Sequence, residues 1–358
     1  MFGLSRSQLV AFAATAGLTV AAGSLAVTGG NGTATFITSA LALAGLAWIV
    51  SLATEAVGEH FGPGLTGVLQ STLGNLPELF VVLFALRAGQ TTVAETSILG
   101  SLFANALLVL GGVLVVGAVR ADGGIMRFSP RLPNDTTTLL LLAVFVISLL
   151  GVATATHNPA AKHAVAISTV GAVALLVTYT VWMVQYLRDD TANAASDTTG
   201  EPPAAPGLTL PVAIGLLVVA GTGAAFVSDW FVSSIDPAVQ NLGISKAFAG
   251  LVIVAIAGNA VENVAGLVLA SKGESDTAIS VVKNSVAQIA AFLYPALIIV
   301  SLLFAHQLTF QIAPIYIAAL VLTALSVWQI SGDGEARAYE GIALVGLYVI
   351  LAILAFYE

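Results

Sequence analysis

The sequence predicts an all-α polytopic membrane protein of eleven transmembrane helices, one extra helix followed by two inverted five-helix repeats. Three observations predict it. The 358-residue chain is 58% hydrophobic and only 8% charged, with a mean hydropathy of +0.99, whereas a soluble domain is roughly a quarter charged. Apolar runs of bilayer length, about 20 residues, recur from end to end. A short polar motif, Gly-Asn-x-x-Glu, occurs twice, once on each side of the longest polar stretch.

The runs place helices near 8–28, 34–56, 64–87, 92–118, 136–156, 163–187, 208–230, 244–270, 275–304, 310–330 and 339–357. The first, Leu9–Val27 after Arg6, has the outline of a signal peptide, but it is long enough to span and is expected as a membrane helix. Arg188–Gly207, rich in Asp, Thr, Ala and Pro, reads as a flexible acidic linker. The expected organisation is an extra helix in 1–32, a first five-helix repeat in 33–187, the linker at 188–207 and a second repeat in 208–358. Five is odd, so two such units in series have opposite topology, the arithmetic of an inverted repeat.

Orientation follows from the basic residues. With the N-terminus in the cytoplasm, Arg6, Arg120, Arg127, Arg131, Arg188, Lys272 and Arg337 fall inside, Arg87, Lys162 and Lys246 fall outside, and Lys283 lies within a helix. The linker is then cytoplasmic, the C-terminus outside, and the expected location a plasma (inner) membrane crossed many times.

The repeat is visible in the residues. Gly74-Asn75-Leu76-Pro77-Glu78 matches Gly258-Asn259-Ala260-Val261-Glu262 at an offset of 184, which also carries Ser101 onto Ser285. One helix earlier, Thr54-Glu55 corresponds to Ser228-Asp229. An ionised carboxylate in a bilayer core is costly and marks a functional position. Glu78 and Glu262 each stand three residues after an asparagine, on the same helix face. Each repeat thus offers one anionic and one neutral oxygen ligand to a common point, the ligand type that hard cations take. Gly74, Pro77 and Gly258 suit a bend or break that frees backbone carbonyls beside the site, or close helix packing.

The following helices add polar groups. Ser101 and Asn105, and Asn284 and Gln288, are spaced i,i+4, with Ser285 beside the second pair. These complete a coordination shell or make interhelical hydrogen bonds. Glu55 and Asp229 cap helices or line water-filled entrances. Glu95, near a helix start, complements the macrodipole, and Glu340 is expected as an N-terminal capping acid. Lys283, about seven residues into its helix, either pairs with Glu78 or Glu262 and tunes ion selectivity, or snorkels to the cytoplasmic interface.

At these positions the chain resembles the calcium/proton antiporters of the cation/calcium exchanger superfamily, from Ala34 to Tyr357. The resemblance is carried by Thr54-Glu55, Phe61-Gly62-Pro63, Gly74 to Leu79, Leu83 to Arg87, Gly100-Ser101 and Asn105. The second half adds Gly258 to Glu262, Gln288-Ile289-Ala290, Asp333-Gly334-Glu335 and Glu340-Gly341. It implies one extra helix, two inverted repeats, cation binding by the motif glutamates and an acidic cytoplasmic segment between the halves. The chain departs from the family's usual residues at Asn263, Lys283, Asn284 and Leu76-Pro77.

The expected function is secondary active cation/proton antiport, Ca²⁺/H⁺ exchange first, with Na⁺(K⁺)/H⁺ or Na⁺/Ca²⁺ exchange on the same fold as alternatives. Its partners are metal cations, protons and the lipid bilayer, with no further cofactor. The net charge of -8 offers no basic footprint for nucleic acid. The absence of cysteine excludes disulfides and thiolate metal sites. His60, His157, His163 and His306 fall near expected loops without zinc-ligand spacing. No His-Glu-x-x-His, Gly-x-Ser-x-Gly or comparable catalytic motif points to an enzyme.

Overall fold

Apolar runs in a bilayer must satisfy their backbone polar groups internally, so they become helices. The computed structural model describes residues 6–58, 60, 73–196 and 208–358, without the side chains of 132, 187, 189–196, 261 and 262. Among the described residues, nine unbroken helices of 18 to 33 residues are long and apolar enough to cross a membrane. A tenth span is broken, with its halves inclined at 53°. The protein is a multi-pass membrane protein, with the helix expected over 64–87 described from residue 73 onward.

The helices are α1 (Arg6–Val27), α2 (Gly32–Gly58), α3 (Leu76–Arg87), α4 (Thr91–Arg120), α5 (Arg131–Ala155), α6 (Ala164–Ser196) and α7 (Leu210–Leu242). The broken span follows as α8 (Lys246–Gly258) and α9 (Ala260–Lys272), then α10 (Ser275–Ser301), α11 (Pro314–Ser331) and α12 (Ala338–Tyr357). Local chemistry sets several ends. Asn31 Oδ1 accepts the amides of Thr33 and Ala34 at the start of α2. Gly243 and Gly273 close α7 and α9 in the left-handed region, at φ 64 and 85°. Glu340 caps α12 as expected, accepting the Arg337 amide at 2.7 Å.

Three boundaries differ from expectation. The helix of 244–270 is not continuous, because Asn259 leaves helical geometry between α8 and α9. α6 continues to Ser196, into the stretch read as a linker, while 197–207 lie outside the described residues. α7 runs past 230 and through Pro237 to Leu242, since its polar last turns find partners beyond the apolar run.

α2 and α7, the first helices of the two repeats, lie side by side at the edge of the bundle. Phe36 stacks on Phe231 with ring centroids 4.7 Å apart, and Asn241 donates to Thr33 Oγ1 at 3.3 Å. Thr54 and Ser228, paired by the repeat, are both wholly buried. α1 packs outside α2 through the edge-on Phe12–Trp48 contact at 5.3 Å. At the far end of the bundle, Ile125–Arg127 (β1) and Glu335–Arg337 (β2) pair antiparallel, with Met126 opposite Ala336. This ribbon joins a loop of the first repeat to a loop of the second, and the exposed Arg127–Glu335 pair at 3.0 Å closes it.

Candidate ion-binding site

Both copies of the motif start a helix. Asn75 precedes α3 at φ -96, ψ 19, and Asn259 precedes α9 at φ -97, ψ 19. The backbone at the two motif asparagines therefore agrees to within a degree. Each glutamate stands in the first turn of the helix that its asparagine introduces. There the positive end of the helix dipole favours an anion. Glu78 is buried at 4% exposure. Glu262 occupies the matching place in α9, and its side chain lies outside the described atoms.

The two motifs meet at Glu78. Asn259 Nδ2 donates to Glu78 Oε1 at 2.5 Å and to the Ala255 carbonyl at 2.9 Å. Ser101 Oγ donates to the same Glu78 oxygen. Asn105 Nδ2 donates to Asn259 Oδ1 at 2.6 Å and to the Ser101 carbonyl at 3.0 Å. Glu78, Ser101, Asn105 and Asn259 thus close one buried ring that ties the first repeat to the second. Gly258 completes it, because a Cβ there would stand 2.6 Å from Glu78 Cγ and 2.9 Å from its Oε1.

The backbone around the ring is arranged for close approach. α4 crosses α8 with Gly100 directly against the Leu251 backbone and Gly250 against Thr96. Any larger residue at either glycine would push the crossing apart. α4 widens to a π-helical stretch at Ala104–Val109, and α10 does the same at Ile289–Leu293. The offset of 184 carries the first stretch onto 288–293, so the repeat extends to this local backbone feature, one often found at functional sites.

Other expected residues are placed as follows. Asn75 is buried at the break, and Gly74 lies in the turn before it. In the second repeat, Ser285 Oγ and Asn284 Oδ1 are buried without a hydrogen-bond partner among the described residues, as are Asn105 Oδ1 and Asn263 Oδ1. These are four neutral oxygens of the kind that coordinates hard cations. Gln288, half-buried, ends the turn before the π-helical stretch of α10.

Three expectations are corrected. Among the described residues, Lys283 does not pair with Glu78, and it does not reach the interface. It is 1% exposed, and its Nζ donates to Thr137 Oγ1 of α5 at 2.6 Å and Ser331 Oγ of α11 at 3.2 Å. Successive helical residues turn by about 100°, so two residues from Ser285 it points to the opposite side of α10. Glu55 and Asp229 are exposed and do not join the ring. Capping explains neither, since Asp229 lies inside α7 and Glu55 in the last turn of α2, where the dipole disfavours an acid. Glu95 is the fifth residue of α4, past the first turn.

One group escaped the sequence reading. Lys246 pairs with Asp236 at 2.7 Å and donates to Gln90 Oε1 at 2.8 Å, while Gln90 Nε2 donates to Asp236 Oδ2 at 2.8 Å. These residues, Asp236 exposed and Gln90 and Lys246 half-buried, join the end of α7 to the starts of α8 and α4. The nearness of Lys246 and Asp236 in sequence was the available signal.

With this geometry established, similarity to known proteins is informative. The profile described as sodium/calcium exchanger protein matches residues 31–187 and 212–357. The chain is 32% identical over 334 residues to the vacuolar calcium ion transporter of Schizosaccharomyces pombe, covering 91% of this chain and 80% of that protein. It is 30% identical over 345 residues to a Ca²⁺/H⁺ antiporter of Synechocystis, covering 91% of each. The structure of native YfkE superposes with a TM-score of 0.82 at 26% identity, covering 97% of this chain and 100% of that one.

Proposed function

Because this chain belongs to the sodium/calcium exchanger protein family, and within it resembles the calcium/proton antiporters, we propose that it exchanges Ca²⁺ for protons at the Glu78–Asn259 ring. The observation that carries this reading is the hydrogen bond from Asn259 of one motif to Glu78 of the other. It makes a single shared site, inside an apolar bundle, from two inverted halves. Glu78 and Glu262 supply the charge. Asn75, Asn259, Ser101 and Ser285 supply neutral oxygens, with Asn105, Asn284 and Gln288 around them.

The chemistry is competition. A carboxylate in a low-dielectric site binds a proton well, and a metal cation stabilises the ionised form and displaces that proton. Two carboxylates exchange two protons for one divalent ion. Exchange is obligatory when only loaded states change their access between the two sides. α2 and α7 are the elements that move, as one peripheral pair rocking against the rest. Their mutual contacts support this, and an open apolar groove lined by Leu76, Phe80, Leu217 and Gly221 among others runs between α7 and α3. Glu55 and Asp229, exposed on these two helices, line the entrances. The protein works in an inner membrane with its N-terminus and the 188–207 segment in the cytoplasm, and extrudes Ca²⁺ at the expense of inward proton flow.

The test is reconstitution into liposomes with a trapped pH dye, followed by Ca²⁺, Na⁺, K⁺ or Mg²⁺ added singly under an imposed pH gradient. Ca²⁺ is expected to give the largest proton flux, and Glu78→Gln to abolish it while leaving the protein folded and inserted. A larger response to Na⁺ or K⁺ would replace the calcium reading with monovalent exchange. Full flux in Glu78→Gln would remove that residue from the site.

A further inference from the structure

The charged side chains inside the described spans divide by what they touch. Glu78 belongs to the ring, Lys283 is held by two hydroxyls, and Glu55 and Asp229 are exposed. Glu95 differs from all of these. It is part-buried within the 30-residue span of α4. Among the described residues its carboxylate makes no hydrogen bond or ion pair. The helix dipole does not account for it, because that effect falls off within the first turn. An acid without a partner at membrane depth is costly and marks a proton or ion pathway.

Its position along α4 says which pathway. Gln90, at the start of the helix, is held by the Asp236–Lys246 pair. Glu95 lies five residues further in and Ser101, bonded to Glu78, six beyond that. At 1.5 Å per residue these steps are about 7 and 9 Å. The far end of α4 leads to the β1–β2 ribbon, so Glu95 lies on the opposite side of the ring, which is the outer side when the N-terminus is cytoplasmic as in the exchange reading.

Several charged and titratable groups surround this stretch, and His306 stands against Gly89 just before its start. Arg87 of α3 is exposed. Lys246 of α8 is engaged with Asp236 and Gln90. Tyr316 of α11 bonds Glu358. Tyr294 of α10, wholly buried, lies close enough to interact electrostatically with Glu95. Its hydroxyl donates to the Thr309 carbonyl at 2.8 Å. Tyr294 is therefore a neighbour of Glu95, and Glu78, bonded to Ser101, is the acid met further along α4.

We propose that Glu95 is the outer proton station of the exchanger, through which protons pass between the external solution and Glu78. A proton from outside binds the Glu95 carboxylate and moves by way of water to the Glu78 carboxylate as the cation leaves. Only O–H bonds are made and broken. This assignment rests on the exchange reading for its transport consequence, but not for the titration of Glu95 itself.

The experiment pairs flux with infrared spectroscopy on wild type, Glu95→Gln and Glu95→Asp in oriented proteoliposomes. Glu95→Gln is expected to lower maximal Ca²⁺-driven proton flux about a hundredfold, the low end for a positioned proton-transfer group. The Ca²⁺ concentration for half-maximal flux should be unchanged. Glu95→Asp should restore most of the rate. A carboxyl C=O band that responds to external and not internal pH should be present in wild type and missing in Glu95→Gln. Undiminished flux in Glu95→Gln, or no such band, overturns the assignment. If wild type shows the band but no Ca²⁺-driven flux, Glu95 remains a proton acceptor and the exchange reading is what fails.

Discussion

The two repeats share a fold but differ in what their site residues have bonded to. In the first, Glu78 is held by Ser101 and by Asn259, and Asn105 closes the ring. In the second, Ser285 Oγ and Asn284 Oδ1 have no partner among the described residues. The difference has a source in the sequence. The offset of 184 carries Gly100, which lies against the Leu251 backbone, onto Asn284. At the place corresponding to Leu251 the sequence has Gly67. Inversion symmetry thus fixes where the helices break, while each half provides its own polar chemistry there.

Gly258 gives the strongest way to break that comparison. It belongs to the second repeat, yet the atoms its Cβ would strike are those of Glu78 in the first. Gly258→Ala must displace the carboxylate or the helix break. A misplacement of about 1 Å is expected to cost roughly a hundredfold in Ca²⁺-driven proton flux. Gly215→Ala, where nothing stands within 4 Å of the added carbon, serves as the control and should transport normally. Equal flux in the two variants would mean that the ring opens during the cycle and tolerates a methyl group.

A smaller effect sharpens it. Ser101→Ala removes a donor to Glu78, and a hydrogen bond to a charged group contributes about 1.5–3 kcal/mol. The Ca²⁺ concentration for half-maximal flux should rise at least about tenfold. Ser285→Ala removes an oxygen but breaks no hydrogen bond among the described residues. Its cost should appear only in cation binding, and glutamate positioning should be unaffected. Isotopic Ca²⁺ binding to detergent-solubilised protein, measured beside thermal stability, separates the two. Loss of stability in Ser285→Ala equal to that in Ser101→Ala would make the halves equivalent after all.

Much of this was legible before the structure, and the reasons are physical. Bilayer-length apolar runs identify helices because a membrane leaves the backbone few alternatives. The repeated Gly-Asn-x-x-Glu marked the places that suit a bend or close packing, though the helix over 244–270 was expected to be continuous, and its acids and amides brought Glu78 and Asn259 into one candidate site. What sequence spacing does not give is azimuth across helices. Lys283 was expected either beside a motif glutamate or at the interface, and it meets α5 and α11 instead, because spacing along one helix does not fix which neighbour a face meets. The β1–β2 ribbon has three residues in each strand, too few for a period-two pattern. α7 passed its expected end because Asp236 and Asn241 find partners on other elements, and no local pattern reports such partners.

Lys283 provides the mildest prediction. Its ammonium is buried against two hydroxyls and no carboxylate among the described residues. Thr137 and Ser331 each also donate to a helix carbonyl, of Pro133 at 2.7 Å and of Val327 at 2.6 Å. Removing the amine therefore leaves both hydroxyls satisfied. Replacing buried ionic groups with apolar ones of similar volume is often neutral or stabilising by about 1–4 kcal/mol. Lys283→Met should leave Ca²⁺-driven flux within about twofold of wild type and hold or raise the melting temperature, toward the lower end of that range. A sharp loss of stability would identify the amine as a necessary clamp between α5, α10 and α11. A changed Ca²⁺-to-Na⁺ flux ratio with stability intact would show that its charge reaches the ring through the helix.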